Sequence, residues 1–315
     1  MNGVRNASQA NLKQTRGALP KELKRNYMVY LMAFPGLLAL LIFCYIPIFG
    51  IIIAFEKYSP AKGVFGSPWI GMSNFMKFFG SPYFLRCLKN TVGISLYNLA
   101  LGFPAPIILA LLLNELRCSL FKRTVQTVTY IPHFISMVVI AGIIIDFTAS
   151  DGVINDLLSL LGFERTNLLM RPELFKTIFV LSEVWQGVGW GSIIYMAALT
   201  NIDSSLYEAA MIDGANRWKQ TLHVTIPGIV PTIVTLFILQ LGQIMSLGYE
   251  KIILIYNPTT LEAAETISTY VYSKGLVDMD YSYATAVGLF NSVINLGLVL
   301  AANKLSRKLT GVGLW

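Results

Sequence analysis

The chain has 315 residues, of which 55% are hydrophobic and only 13% charged, with a mean hydropathy of +0.60. That balance excludes an ordinary soluble domain and describes an integral membrane protein. The net charge of +7 does not indicate a nucleic-acid binder, because the basic residues flank apolar runs instead of forming a stripe on a soluble fold.

Residues 1–26 are polar and carry Arg5, Lys13, Arg16, Lys21, Lys24 and Arg25, which reads as a basic tail. The apolar run from Tyr27 to Phe55 is far longer than a signal-peptide core and lacks a small-residue cleavage site. It is expected as the first span, bent at Pro35 and Pro47. Further runs long enough to cross about 30 Å of hydrocarbon lie at approximately 91–113, 128–148, 176–199, 227–247 and 283–303. The expected fold is an all-α integral membrane protein with six transmembrane helices, residues 27–315 forming one domain with both termini on one side.

Positive charge decides which side. The tail, Arg117, Lys122 and Arg123, Arg217 and Lys219, and Lys304, Arg307 and Lys308 share one face, which is therefore cytoplasmic. The opposite segments, 56–90, 149–175 and 248–282, hold most of the acidic residues outside the spans. Cys44, Cys87 and Cys118 fall in different compartments without metal-ligand spacing, so neither a disulfide frame nor a metal site is expected. His133 and His223 are too isolated to form a metal or triad site.

Between the fourth and fifth runs lies Glu208-Ala209-Ala210-Met211-Ile212-Asp213-Gly214-Ala215, followed by Val224-Thr225-Ile226-Pro227. Ser205 and Glu208 have capping-box spacing, which predicts a short helix beginning at about Ser205. Gly214 should end it in a left-handed cap. A second short helix over about 215–223 should lead to Pro227 in the first turn of the next long helix. Ala209 and Ala210 leave little bulk beside Glu208, so a partner backbone can approach and be held by a charged hydrogen bond. This loop, expected over about 200–226, would form a helical knob on the cytoplasmic side.

The string E-A-A, three residues, G, nine residues, V-x-I-P resembles the cytoplasmic coupling loop of permease subunits in binding-protein-dependent (type I) ABC importers. Phe103 to Ala110, Tyr130 to Ser136 and Tyr283 to Asn291 are similar to the branch that imports polysaccharides and oligosaccharides. The resemblance implies a type I importer permease in the bacterial cytoplasmic (inner) membrane, forming half of a pathway with a second homologous permease. It further implies two ATPase subunits and an extracellular or periplasmic solute-binding protein as partners. Glu208, Ala209, Ala210, Asp213 and Gly214 would couple to the ATPase. ATP and magnesium would be bound by that partner, this chain holding no cofactor of its own and performing no catalysis. Consistent with that expectation, Gly187-Val188-Gly189-Trp190-Gly191 lacks the lysine of a phosphate loop.

The spans hold candidate pathway residues. Glu183 is ionisable and costly in lipid, so it should face a bundle interior or an aqueous cavity. Gln186, Gly187 and Trp190 follow on the same helical face. That face either lines a passage for a polyhydroxylated solute or makes structural polar contacts, with the glycines allowing close packing. Gln240 and Gln243, and Asn291 and Asn295, form two further pairs with the same two explanations. The outer tyrosines Tyr249, Tyr256, Tyr270, Tyr272 and Tyr281 either grip sugar rings or form an interfacial belt. None of the candidates is basic, which favours a neutral or mixed-charge sugar over a polyanion. Rival readings are a secondary carrier using Glu183 and Asp146, an importer of a non-sugar solute, and a membrane-embedded enzyme.

Overall fold

A computed structural model describes residues 25–311 and 313–314, so all but the end of the expected basic tail lies outside the described residues. Regular structure among these residues is helical, apart from one antiparallel bridge between Glu56 and Trp69. The first helix, α1 (Tyr27–Phe55), passes from α to a wider π turn at Leu41–Tyr45 and then to a tighter 3-10 coil at Ile46–Phe55. The expected bend at Pro47 is realised as this change of winding, because the ring removes a donor and crowds the carbonyl four residues back.

After a short helix α2 (Ser73–Phe79), α3 (Pro82–Glu115) runs 34 residues and is jointed at Phe103 before Pro104. It starts about nine residues before the expected span, since Ser81 caps it by accepting the Tyr83 N–H at 3.2 Å and Pro82 supplies the first turn. The third expected span, 128–148, is interrupted. Helix α4 (Ser119–Tyr130) gives way to a 3-10 turn at Ile131–Phe134 around Pro132, and Ser136 then caps α5 (Met137–Thr148). Helix α6 (Val153–Leu160) follows after a turn at Gly152.

Next come α7 (Pro172–Thr200), α8 (Ser204–Ile212), α9 (Arg217–Leu241), α10 (Tyr249–Ile255), α11 (Leu261–Ala264), α12 (Ile267–Tyr272) and α13 (Tyr281–Thr310). Five stretches among the described residues are long and apolar enough to span a membrane: Tyr27–Phe55, Pro82–Glu115, Met137–Leu160, Arg217–Leu241 and Tyr281–Lys308. Met137–Leu160 is α5 and α6 joined by the turn at Gly152. Helix α7, with 29 residues, is as long as α1, but Glu183, Gln186 and its glycines dilute its hydropathy. The architecture is compatible with six spans without the composition marking all six.

Helix α7 is the centre of the bundle and packs against α3, α4, α9 and α11. Close approach is written into its glycines. A Cβ added at Gly189 would lie 2.1 Å from the Thr129 carbonyl oxygen, and one at Gly191 would lie 3.0 Å from Pro106. Around its N-terminal half, Phe175, Phe179 and Val180 pack with Ile94, Ile140 and Ile252 in one buried cluster. The outer segment between α9 and α13 is pinned back onto the bundle by polar contacts. Arg86 pairs with Glu265, Asn90 Nδ2 donates to the carbonyls of Glu262 and Glu265, and Thr91 Oγ1 accepts the Ile267 N–H at 2.9 Å. The three cysteines are free.

Candidate functional site

The loop between α7 and α9 is a compact knob. Asp203, not Ser205, caps α8: its Oδ1 accepts the Ser205 N–H at 2.9 Å. The predicted Ser205–Glu208 capping box is therefore not formed, because the helix has already begun when the chain reaches Ser205. Accepting bonds from the Ser205 backbone and hydroxyl holds the Asp203 carboxyl below the usual range. The other end follows the sequence expectation. Gly214 has φ +75°, its N–H donates to Met211 O at 3.0 Å, and the Ala215 N–H donates to Ala210 O at 2.9 Å. These two bonds are the Schellman pattern.

The second expected short helix is not a separate element. Asn216 Oδ1 accepts the Lys219 N–H at 2.9 Å, and from Arg217 the chain runs without a break into α9. A π turn at Thr221–Thr225 widens the helix just before Pro227, where the ring would otherwise meet a carbonyl. The knob is fastened at its base by Tyr207 Oη to Thr225 Oγ1 at 3.0 Å and by Arg217 to Glu115 at 3.4 Å. Glu208, Ala209, Asp213 and Gly214 are exposed and Ala210 is half-buried. Leu206, Met211, Ile212 and Trp218 are also exposed, so an apolar rim surrounds the carboxylate. Such a patch on a knob suits a protein partner.

At the other end of α7 and α9 lies a polar cavity of about 160 Å³. Its wall is Ser95, Asn98 and Leu99 of α3, Phe179 and Glu183 of α7, Gln240 of α9, and the segment from Gln243 to Gly248. That segment was expected to be helical to about residue 247, but α9 stops at Leu241 and the chain runs unwound to α10. Neighbouring side chains take over its backbone groups. Asn295 Oδ1 accepts the Met245 N–H at 3.1 Å, Asn291 Nδ2 donates to Met245 O at 3.1 Å, and Ser95 Oγ donates to Ile244 O. Asn295 Nδ2 also donates to Ser246 Oγ at 2.8 Å. Irregular backbone at membrane depth persists only where protein or a wet cavity satisfies it, and here protein side chains do so.

Of the seven candidate pathway residues, the structure gathers Glu183, Gln240 and Gln243 around this cavity. Gln240 and Gln243 also line a second cavity of about 230 Å³ with Pro106, Gly191 and Tyr195. Gln186 is half-buried one turn on from Glu183 and is not part of the first cavity's wall. Trp190 is stacked on His133, ring centroids 4.6 Å apart and planes 4° from parallel, with Phe134 edge-on at 5.7 Å. Asn291 and Asn295 direct amide donors to the unwound segment, and Asn291 also lines a further cavity of about 590 Å³ with Tyr249, Tyr272 and Tyr281. Tyr270 is structural, buried with its hydroxyl 3.1 Å from that of Tyr283. Asp146 is exposed on α5 and outside the wall around Glu183, so the carrier arrangement is not assembled.

The sequence reading missed Lys251. It lies on α10, its side chain is 1% exposed, and it forms an ion pair with Glu183, whose side chain is 35% exposed. Its ammonium also sits 5.9 Å from the centre of the Phe179 ring. A lysine inside a predicted outer loop gives no sign of burial, because the loop itself was expected to be solvated. Two further lysines lie nearer the N-terminal end of α7. Lys176, seven residues before Glu183 and so on the same helical face, lies over Gly93 of α3, where an added Cβ would be 3.6 Å from its Nζ. Lys89 is close enough to repel it.

Residues 102–311 match the family described as binding-protein-dependent transport system inner membrane component. The polygalacturonan/rhamnogalacturonan transport system permease protein YteP of Bacillus subtilis (strain 168) is 44% identical over 304 residues, which is 96% of this chain and 95% of that one. Protein LplB of the same organism is 42% identical over 294 residues, 93% and 92% of the two chains. A chain of a solved bacterial ABC transporter involved in the import of the acidic polysaccharide alginate is 44% identical with a TM-score of 0.85, over 93% of this chain and 99% of that one. A match over two thirds of the chain, with relatives aligned along nearly all of it, establishes that the chain belongs to the binding-protein-dependent transport system inner membrane components.

Proposed function

We propose that this chain is the permease subunit of an ATP-driven importer of acidic oligosaccharides, forming half of the transmembrane pathway. The observation that carries the reading is continuity. The two helices that meet at the polar cavity, α7 and α9, run directly into the two halves of the knob. From Glu183 to Thr200 is about 26 Å of helix, and the 25 residues of α9 span about 38 Å. A displacement of the knob is carried as a rigid-body motion to both cavity walls. An ATPase seated on Glu208 and its apolar rim would tilt those walls between inward-facing and outward-facing arrangements. ATP and magnesium belong to that partner.

Two ATPase subunits, a second homologous permease and a solute-binding protein complete the assembly, with the knob and both termini in the cytoplasm. The alginate importer has been solved in complex with a periplasmic protein bound to an alginate pentasaccharide, which supports the last of these partners. The substrate class follows from chemistry and likeness together. Ser95, Asn98, Gln240, Gln243 and Ser246 offer neutral donors and acceptors suited to hydroxyls. Lys176, on the same face of α7 as Glu183, and Lys89 of α3 form no ion pair among the described residues, and unpaired cations attract carboxylated sugars. The relatives named for polygalacturonan and alginate handle such polymers. Lys176 on the face of α7 that carries Glu183, and Lys251 behind Glu183, weigh against the neutral sugar that the seven candidates alone favoured, although neither lines the cavity itself.

The test is ATPase activity of the complete assembly in proteoliposomes, with its binding protein, offered uronate oligomers, neutral oligosaccharides, amino acids or peptides. Stimulation by uronate oligomers is expected. Stimulation by amino acids or peptides and by no sugar would overturn the substrate class.

A further inference from the structure

We infer that the buried Lys251 is a specificity-determining residue, which cancels the charge of Glu183 and so lets a carboxylated oligosaccharide pass a wall that would otherwise be anionic. The inference rests on the proposed pathway and concerns how that pathway discriminates among sugars. The cavity wall contains one ionisable side chain, Glu183, among serines, amides and apolar groups. Its electrostatic sign toward the lumen is therefore decided by whatever stands behind Glu183. What stands there is Lys251, delivered by the chain geometry: Gln243, Ile244 and Ser246 to Gly248 line the cavity, and α10 then turns Lys251 beneath the wall, against Phe179.

The pair is asymmetric. Lys251 is sealed from solvent, with Glu183 as its ion-pair partner, whereas about a third of Glu183 remains open. A buried cation requires its partner, because a lone charge there is expensive. A carboxylate that keeps contact with a wet cavity tolerates losing its cation far better. The arrangement thus sets a carboxylate at the wall with a cation directly behind it, so the pair adds no net charge there. Were the pair only a device for packing α10 onto α7, an apolar contact would serve as well or better. Placing the acid, not the base, toward the cavity gives the wall hydrogen-bond acceptors for sugar hydroxyls without net repulsion of uronates.

The experiment uses the complete reconstituted importer with its binding protein. It measures half-saturating concentrations of loaded binding protein for a uronate oligomer and for a neutral oligosaccharide of equal length. Lys251→Met should lower the uronate-to-neutral selectivity ratio about tenfold, corresponding to about 1.4 kcal/mol, because Glu183 is left as an uncompensated anion. Glu183→Gln/Lys251→Met, which removes both charges, should return the ratio to within about threefold of the starting value, and Lys251→Arg should retain it. The double variant leaves no unpaired buried charge, so it provides a reading even if Lys251→Met assembles poorly. Equal loss for both sugars in Lys251→Met, or a double variant as unselective as the single one, would overturn the inference and leave the transport reading standing. An unsubstituted importer that responds to no sugar would overturn the transport reading, and this inference with it.

Discussion

The left-handed cap at Gly214 offers the sharpest test of the knob, since its requirements can be separated one at a time. An added Cβ there meets nothing within 4 Å, so Gly214→Ala introduces no clash, and its whole cost comes from holding an L-residue at φ +75°. That cost is about 1–2 kcal/mol. Gly214→Asn should cost less, because asparagine visits this region readily. Gly214→Pro cannot adopt a positive φ and also deletes the N–H that donates to Met211 O. It should lose about 3 kcal/mol or more. The knob is exposed and held by few contacts, so these costs fall on its local conformation and not on the buried core. A cost of about 1–2 kcal/mol corresponds to a factor of about 5–30 in the population of the competent knob. Substrate-stimulated ATPase activity in proteoliposomes, normalised to inserted permease, should fall in the order Gly, Asn, Ala, Pro. Alanine equal to glycine, or asparagine worse than alanine, would refute the claim that backbone conformation at this position limits coupling.

Other perturbations probe the remaining contacts. Glu208→Ala should leave the chain inserted but reduce coupled hydrolysis by about tenfold or more, the value of a charge-assisted bond of about 1.5–3 kcal/mol; full transport by Glu208→Ala/Gly214→Pro would sink the assignment. Asn295→Leu removes both of that amide's bonds and orphans the buried Met245 N–H, so thermal unfolding of the solubilised assembly should report a loss of about 2–4 kcal/mol. A melting midpoint within about a degree of the original would show that the unwound segment does not depend on α13. Gly189→Ala pushes a methyl into the Thr129 carbonyl at 2.1 Å and should destabilise by about 1–3 kcal/mol or more, whereas Gly187→Ala, with nothing within 4 Å, should be neutral in the same melt.

What the sequence made legible was chemistry that is local in the chain. The Gly214 cap could be anticipated because a single residue type answers the left-handed requirement, and the spans could be placed because hydrocarbon demands long apolar runs. Errors arose where the deciding partner is distant. The first turns of α3, begun locally by Ser81 and Pro82, are held in place by Arg86, Asn90 and Thr91 finding Glu265, the carbonyls near it and Ile267, more than 170 residues on. The premature end of α9 depends on Asn291 and Asn295 satisfying Met245 from 46 and 50 residues away. Such amides look identical in sequence whether they glue helices or line a passage, and only the direction of their bonds separates Asn295 from Gln243.

Proline misled in the opposite sense. At Pro132 it breaks a span that hydropathy reads as continuous, because Ser136 stands ready to cap a new helix four residues later. At Pro227 the α-helical winding does begin as expected, at Ile226, but it follows the one-residue widening at Thr221–Thr225 without a break, so a single rod is preserved. The difference has a mechanical consequence. A flexible joint at Pro227 would let the knob move without the cavity, whereas a continuous α9 allows little independent motion between Arg217 and Gln240. With α7 entering the knob through only the residues between Thr200 and Ser204, both walls of the cavity are tied to one element, the knob. On the proposed coupling, force applied at Glu208 would reach Glu183 and Gln240 together, carried by two helices that pack closely at Gly189 and Gly191, and not through a chain of small side-chain shifts.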